Sequence, residues 1–387
     1  MSDWVVARVW TILTAAGLRL PPGKRQSGSS QAGVDVTADQ GEPAMSGEAY
    51  TERARRLRQL PAPGHADDRQ ALVQAATLAA SSHNTQPWTF TADAGGITIE
   101  PDLSRRCSVV DPDDSHLFKS LGCAAENVVA AAPAYGLAAD VVILDGGRIR
   151  IELARSGSAG DGGSLAAIAE RQCTRTAYDG RPLDAAESAG LETAGTGDGV
   201  RVELIDAATP REAILELVNL GNRSQLSDPA FRRELIEWIR FNDKQALRCG
   251  DGLSGRATGQ PQAPAWLAKP LMRFLLTPDK QVETDTKNLR SAAGIAVFIG
   301  AADTVPAWIE TGRAYERFAL RATAAGIRNA FINQPIEVRS LRGELHALLG
   351  LTGTETAHLM VRYGHAPLAP YSLRRPVADV RATGTVH

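Results

Sequence analysis

Residues 81–88 of the chain read SSHNTQPW and separate two apolar segments. A small-residue run with helical character, residues 71–80, precedes them, and a β-type segment, residues 88–90, follows. Buried polar groups need hydrogen-bond partners, so this loop must either satisfy its own polar groups or bind a polar ligand. Chemistry alone leaves a second interpretation equally open, namely that a helix ends here in an ordinary polar turn.

Length and charge narrow the class of protein. With 387 residues and 43% hydrophobic content, the chain can bury a sizeable core, in two domains or one large one. Its net charge is −2, so neither nucleic acid nor an anionic membrane is an expected partner. The cysteines are too far apart for a zinc or redox motif, and we predict reduced thiols and a cytoplasmic location. They are Cys107, Cys123, Cys173 and Cys249.

The N-terminal part, residues 1–47, has a composition unlike the rest. Residues 4–13 are apolar but interrupted by Arg8, which favours an amphipathic surface helix over a membrane span or a secretory signal. Residues 21–47 are rich in Gly, Ser, Pro and Gln, which is typical of a flexible linker. Helical character begins near residue 48, and the arginines of residues 53–58 are interpreted as a solvated helix face.

A fifteen-residue segment occurs twice in the chain. Residues 122–136 align without gaps with residues 312–326, sharing Gly, Ala, Glu, Ala, Ala and Gly at matching positions. Each copy reads as a helix that ends in glycine before a β-type segment, and small residues on a helix face permit close packing. We interpret the chain as two fused copies of one α+β unit, residues 48–165 and residues 166–387.

The loop of residues 81–88 resembles the S-S-x-N-x-Q-P-W element of the FMN-dependent nitroreductase superfamily. In that family the element lies at a subunit interface and helps to hold the flavin bound by the other subunit. The resemblance therefore implies that Ser81, Ser82, Asn84 and Gln86 contact an FMN cofactor.

Two later segments resemble the other parts of the same family's flavin site. Residues 171–175, RQCTR, are similar to the R-x-S-x-[RK] element, so the resemblance implies that Arg171 and Arg175 bind the cofactor. Cys173 stands where the family has serine, which puts one hydroxyl contact in doubt. Near the C-terminus, a strand ending in Tyr-Gly and the later Arg-Arg-Pro resemble the family's basic ending, which implies cofactor contacts from Arg374 and Arg375. Exposed arginine pairs are the plainer explanation of both basic segments.

The two halves carry complementary parts of the motif set. The first has the SSHNTQPW loop without an R-x-S-x-R element, and the second has RQCTR without an NTQPW element. This division resembles the Acg-like branch of the superfamily over roughly residues 66–380. It implies a nitroreductase-like α+β fold in two fused copies, each with a mainly antiparallel sheet flanked by helices. It also implies one intramolecular flavin site, in a monomer or a homodimer.

The resemblance assigns a chemical task to each basic residue. Arginine binds phosphate bidentately, which suits Arg171, Arg374 and Arg375 to the FMN phosphate. A cation beside the flavin N1/O2 edge stabilises the reduced form, which suits Arg175. The family places a backbone N–H near flavin N5, and here residues 332–334, with Asn333 at the centre, occupy that position. No catalytic acid or base is required, because the cofactor carries the chemistry.

The implied activity is reduction of nitroaromatic or quinone-like small-molecule acceptors with NAD(P)H as the reductant. The histidines show no metal-binding spacing, so no metal is expected, and no glycine-rich dinucleotide or phosphate-binding motif is found. A long insertion, residues 241–287, is predicted to be a lid, with a helix packed permanently on the core as the alternative. Two rival functions remain open: a protein that holds flavin with little turnover, and a scaffold that has lost the cofactor.

Overall fold

The described residues form two four-stranded antiparallel sheets and one short two-stranded sheet. The computed structural model describes residues 41–64, 68–156, 162–260 and 262–382, without the side chains of residues 41–45 and 273–275. Within this part of the chain, no helix is long and apolar enough to cross a membrane. The described residues from Ala44 onward belong to one compact unit. The amphipathic helix predicted for residues 4–13 lies outside the described residues.

The first sheet lies in the first half of the chain. Its strands are β1 (Trp88–Asp93), β2 (Gly96–Pro101), β3 (Leu137–Ile143) and β4 (Ile149–Arg155). Their order across the sheet is β1-β2-β4-β3, and every neighbouring pair is antiparallel.

The second sheet repeats this design in the second half. The strands of this half are β5 (Val200–Ile205), β6 (Ile239–Arg240), β7 (Leu253–Ser254), β8 (Gly294–Gly300), β9 (Arg328–Phe331) and β10 (Thr356–Gly364). The sheet order is β5-β8-β10-β9, again antiparallel throughout, while β6 and β7 form a short parallel pair of their own. The predicted α+β class with mainly antiparallel sheets is therefore confirmed.

Helices surround the sheets. In chain order they are α1 (Gly41–Leu57), α2 (Asp68–Thr77), α3 (Ser115–Ala131), α4 (Gly163–Glu170), α5 (Ala185–Gly195), α6 (Ala208–Ser227), α7 (Pro229–Trp238), α8 (Asp243–Cys249), α9 (Gly255–Thr258), α10 (Ala265–Leu275), α11 (Pro278–Arg290), α12 (Val305–Ala324), α13 (Gln334–Glu337), α14 (Arg339–Leu348) and α15 (Val377–Val380). All seven residues of β8 are buried, which shows that helices cover both faces of the second sheet.

The helices α3 and α12 contain the two copies of the repeated segment and pack against each other. A Cβ on Gly122 would collide with the backbone of Ile309, and a Cβ on Gly312 would collide with the backbone of Lys119. The same distance in sequence separates Lys119 from Ile309 as Gly122 from Gly312. The contact is therefore reciprocal between matching positions, as in an interface related by a twofold axis.

The ends of the chain depart from the sequence-based boundaries. The linker predicted for residues 21–47 is too long, because α1 already begins at Gly41, with Pro43 in its first turn where a missing N–H costs nothing. At the other end, Arg381 bridges to Phe90 of β1, and the N–H of Ala382 donates to the Phe90 carbonyl at 3.0 Å. The C-terminal tail thus leaves the second half and joins the first sheet.

Candidate functional site

The SSHNTQPW loop is a short, tightly constrained turn rather than a simple helix end. After α2 the chain makes a single 3-10 turn at Ser82–Asn84, with positive φ angles at His83 (48°), Asn84 (56°) and Gln86 (54°). Such angles are unfavourable for residues with a Cβ and persist only where surrounding contacts fix them. Here the Gln86 N–H donates to Ser81 Oγ at 3.1 Å, and Asn84 Nδ2 donates to the Gly252 carbonyl at 3.0 Å.

This loop forms one wall of a cavity of about 420 Å³. That volume is within the usual range for small-molecule and cofactor sites. Eight of the ten residues predicted from the sequence line it: Ser81, Ser82, Asn84, Arg171, Cys173, Arg175, Asn333 and Arg374. The fold thus brings together side chains from both halves of the chain.

Gln86 and Arg375 are the predicted residues that do not line the cavity. Gln86 is fully buried: its Nε2 donates to the Gly250 carbonyl at 3.0 Å, and its Oε1 accepts from the Arg375 N–H at 2.7 Å. The guanidinium of Arg375 donates to the backbone carbonyls of Gln86 and Asp379. Both residues therefore hold the loop against the C-terminal tail, and their polar groups are used in doing so.

One end of the cavity is a cluster of three buried arginines. Arg58, Arg171 and Arg374 are 7%, 2% and 5% exposed, and all three line the cavity. Arg171 lies 2.9 Å from Glu316, and its Nη2 donates to the Leu78 carbonyl at 2.7 Å. Arg374 Nη2 donates to the same carbonyl at 3.3 Å. The Leu78 carbonyl directly follows the end of α2, and cations are favoured near the C-terminus of a helix.

The charge of this cluster is not balanced. Among the described residues, Glu316 is the carboxylate that interacts with Arg171 and Arg374, and none is found beside Arg58. Burial, and then the nearby Arg171, lowers the pKa of Arg58 to about 10, and burial lowers the pKa of Arg374 well below its usual value. Within the described part of the chain, Arg58 Nε, Arg58 Nη1 and Arg374 Nε find no hydrogen-bond partner. A buried excess of positive charge with orphaned donors suits a multiply charged anion.

Arg175 lies on another part of the same wall. It is half-buried, and no ion pair or side-chain hydrogen bond is found for its guanidinium among the described residues. Burial, and then Arg175, lowers the pKa of His83 to about 4, so His83 stays neutral at physiological pH. Arg175 thus keeps its donors for a ligand in the cavity.

The segment of residues 332–334 contributes backbone as well as side chain. The Ile332 N–H donates to the Met360 carbonyl at 3.0 Å, and Asn333 Oδ1 accepts from the Met360 N–H at 2.8 Å. Helix geometry leaves the first N–H groups of α13 without intrahelical acceptors, and Gln334 begins that helix. Of the three predicted residues, Ile332 therefore has no N–H to offer, which leaves Asn333 and Gln334.

The cavity is also lined by titratable groups that the sequence analysis missed. Burial lowers the pKa of Lys119 to about 8 and that of His116 well below its usual value. Burial raises the pKa of Glu337 to about 7. All three line the cavity, and His116 Nε2 lies 3.8 Å from Glu337 Oε1. Lys119 and Glu337 can therefore exchange protons near neutral pH.

The insertion predicted to be a lid divides into two parts. Residues 243–258 are fixed, since Asp251 pairs with Arg105 from the first half and with Arg240 at 2.6 Å, while the Gly252 N–H donates to the Asn84 carbonyl at 3.1 Å. In the later part, Trp266 of α10 is 79% exposed, whereas Asp285 of α11 accepts from Asn222 Nδ2 at 2.8 Å. Insertion residues that line the cavity are Leu253, Thr258, Gln260, Leu276, Gln281, Thr284 and Asp285.

The interpretation of Arg58 as part of a solvated helix face is wrong. Arg58 follows Tyr50 and Ala54 at helical spacing, and both of those residues are buried. Residues at positions i, i+4 and i+8 lie on one face of a helix, so this periodicity could have predicted the burial of Arg58. His116 and Lys119 lie on the same face of α3 as Gly122, since the three are spaced three residues apart. Two polar side chains on a helix face are not by themselves a reason to expect a ligand.

Comparisons with known proteins find relatives by sequence and by structure. No family model matches the chain. Two Mycobacterium tuberculosis proteins, from strains CDC 1551 and H37Rv and each named "Putative NAD(P)H nitroreductase", are 26% identical to it over 328 residues. The alignment covers 80% of this chain and 90% of theirs. By sequence, this chain is similar to these two proteins over most of its length.

Two solved structures similar to this chain are nitroreductases. A Mycobacterium smegmatis FMN-dependent nitroreductase in complex with NADPH is 14% identical, with 58% of this chain and 98% of that chain covered and a TM-score of 0.38. A Bacteroides fragilis nitroreductase with bound FMN is 16% identical, with 53% and 88% covered and a TM-score of 0.32. These scores are low, so the sequence similarity is the stronger finding.

Proposed function

We propose that this protein is an FMN-dependent oxidoreductase that uses NAD(P)H to reduce small electrophilic acceptors, such as nitroaromatic compounds and quinones. The observation that carries the proposal is the cluster of Arg58, Arg171 and Arg374, in which Glu316 pairs with Arg171. The phosphate of FMN is dianionic and would balance the remaining positive charge. It would also accept hydrogen bonds from the unpartnered N–H groups of Arg58 and Arg374.

The other cavity residues suit the rest of the cofactor. Arg175 would approach the N1/O2 edge of the flavin, where a cation stabilises the negative charge of the reduced form. A backbone N–H of Asn333 or Gln334 would donate to N5, and Ser82 would contact the polar edges. Bound FMN would supply the hydride chemistry, accepting from NAD(P)H and donating to the second substrate.

We infer further that the two halves are a fused pair with one complete flavin site. The reciprocal glycine contacts of α3 and α12 support this arrangement, as does the origin of the cavity walls in both halves. A single polypeptide then carries every group that the site needs, and we expect one FMN for each chain. Absorbance at the flavin maximum against protein concentration measures this ratio.

A second candidate function is flavin holding with little turnover. The observation that favours it is the insertion, whose residues Leu276, Gln281 and Thr284 line the cavity and could restrict access of a nicotinamide to the flavin. The two candidates share the cofactor site and differ only in whether reductant reaches it.

An anaerobic reduction experiment tests both candidates. The purified protein, reconstituted with FMN, is mixed with NADPH or NADH, and its visible spectrum is followed. Bleaching of the flavin bands within seconds, followed by recovery on adding a quinone, is the result expected of the enzyme. Bands that bleach with dithionite but not with either nicotinamide support flavin holding. A protein that does not retain FMN refutes both.

A further inference from the structure

The cavity contains an acid for which the cofactor chemistry described above has no use. Glu337 is the last residue of α13, three positions beyond Gln334, and its side chain is 17% exposed at the cavity wall. Hydride transfer to a quinone places negative charge on the second oxygen, which then needs a proton. A positioned acid at the cavity wall could supply that proton.

We propose that Glu337 is the proton donor to the acceptor, and that the end of the cavity around it is the acceptor site. The inference rests on the proposed function for the identity of the hydride source. The chemical class of acceptor is one whose reduction leaves an anionic oxygen, such as a quinone or another conjugated carbonyl compound.

The contacts of Glu337 determine where its proton lies. Gln225 Nε2 donates to Glu337 Oε2 at 2.6 Å, so that oxygen is an acceptor and the proton of the neutral acid is on Oε1. His116 Nε2 is 3.8 Å from Oε1, too far for a direct hydrogen bond. The O–H group on Oε1 is thus left for a ligand or a water molecule in the cavity.

The titratable groups that face Glu337 leave it able to keep a proton near neutral pH. They are Asp111, Lys119, His116 and Cys107, and Arg342 in turn faces His116 and Lys119. Burial is the main reason that its pKa is raised, and Asp111 adds to the effect while Gln225 and Lys119 oppose it. An acid whose pKa lies near the working pH is well matched to proton donation.

The neighbouring polar groups are less suited to the task. Asp285 accepts from Asn222 Nδ2 at 2.8 Å, from Gln334 Nε2 at 3.1 Å and from Gln281 Nε2 at 3.1 Å, so both of its oxygens already have hydrogen-bond partners. Burial lowers the pKa of His116, and this neutral imidazole has no second proton to give.

The proton and electron count of the step balances. A quinone receives a hydride, with its electron pair, from the reduced cofactor at one carbonyl oxygen, and the second oxygen becomes an anion. That oxygen then forms an O–H bond as the Oε1–H bond of Glu337 breaks, and the electron pair of the broken bond stays on the carboxylate. Water in the cavity returns a proton to Glu337 before the next cycle.

The first test does not require a loaded enzyme. Infrared spectra of the protein, with and without FMN, are recorded across a pH series for the parent, for Glu337→Gln and for the control Glu344→Gln, which changes an exposed glutamate. We expect a protonated-carboxyl band that titrates near pH 7 in the parent and the control and is missing from Glu337→Gln. An unchanged band in Glu337→Gln overturns the proposal.

The second test separates a proton donor from a structural residue. Flavin in each variant is reduced with dithionite and reoxidised anaerobically by benzoquinone or by ferricyanide, which takes electrons without a proton. We expect Glu337→Gln to slow the quinone reaction about 100-fold at neutral pH and to leave the ferricyanide reaction unchanged. Equal slowing with both acceptors, or no slowing with either, overturns the proposal. Failure to bind FMN would instead refute the proposed function, and the infrared result would still decide whether Glu337 holds a proton.

Discussion

Arg171 Nε lies 2.9 Å from Glu316 Oε1 in the buried centre of the protein, and the two side chains are 2% and 0% exposed. Glu316 belongs to the repeated segment of α12, and Arg171 begins the RQCTR element that resembles a cofactor-binding motif. At the matching position of α3, Glu126 pairs with Arg313 at 3.0 Å instead. The two copies of the repeat thus use the same glutamate differently, and only the Glu316 copy adjoins the arginine cluster.

Arg58 tests the assignment of the arginine cluster to a phosphate. We predict that Arg58→Ala weakens FMN binding about 10- to 100-fold, because hydrogen bonds to charged groups are worth about 1.5–3 kcal/mol. Riboflavin, which has no phosphate, should bind with unchanged affinity. Fluorescence titration of the apoprotein measures both constants.

Two arginines serve as controls for this titration. Arg56 lies in α1, two residues before Arg58, with its side chain 74% exposed, and the guanidinium of Arg375 donates to the Gln86 carbonyl rather than lining the cavity. Arg56→Ala and Arg375→Ala should bind FMN like the parent protein. The assignment of the phosphate contact would be wrong if Arg375→Ala weakened FMN binding without changing riboflavin binding while Arg58→Ala left FMN binding unchanged.

Glu316 is predicted to be essential for stability. Glu316→Gln leaves Arg171 buried without a counter-charge, and we expect a loss of about 3–5 kcal/mol in the free energy of unfolding. Urea denaturation measures it. The exposed pair of Arg290 and Glu212, 2.8 Å apart, provides the comparison, and Glu212→Gln should leave the midpoint unchanged. Similar midpoints for the two variants would contradict the prediction.

Lys119 is predicted to make the apoprotein less stable at neutral pH than at high pH. Its pKa falls from 10.5 to about 8 on burial, so between these values the unfolded chain binds more protons and stability rises with pH. Lys119→Met removes the penalty and should stabilise the apoprotein by about 3 kcal/mol at pH 7, a gain that disappears above about pH 10.5.

Chemical denaturation across a pH series measures this difference. Lys280→Met, which replaces an exposed lysine, should follow the parent protein at every pH. If the stability gained by Lys119→Met is the same at every pH, it comes from better packing rather than from removal of a buried charge.

Gly312 tests the close contact between α3 and α12. A Cβ at this position would collide with the Lys119 carbonyl, so Gly312→Ala should destabilise the protein by at least about 1–3 kcal/mol. Gly343 is exposed in the middle of α14 with open space around it, and Gly343→Ala should stabilise by about 0.5–1 kcal/mol. Thermal denaturation of both variants checks the opposite signs, and equal effects would argue against the contact.

Much of the architecture could be predicted from local patterns. The repeated segment, with small residues on one face and a closing glycine, predicted two matching helices, and Gly136 and Gly326 adopt the expected left-handed conformation. The SSHNTQPW loop could be singled out because a polar cluster between apolar elements has to find partners. These features depend on residues close together in the sequence, so the sequence alone determines them.

The composition of the cavity depended on the tertiary structure. Arg374 and Arg375 are neighbours of the same type, yet only Arg374 lines the cavity, because Gln86 and the Asp379 carbonyl hold the backbone and the guanidinium of Arg375. Arg58 joins the cluster because the tail residue Tyr371 stacks against it, 4.2 Å from its guanidinium. Such choices are made by contacts between residues hundreds of positions apart. The sequence by itself determined which kinds of group are available, and long-range packing decided which of them share one desolvated space.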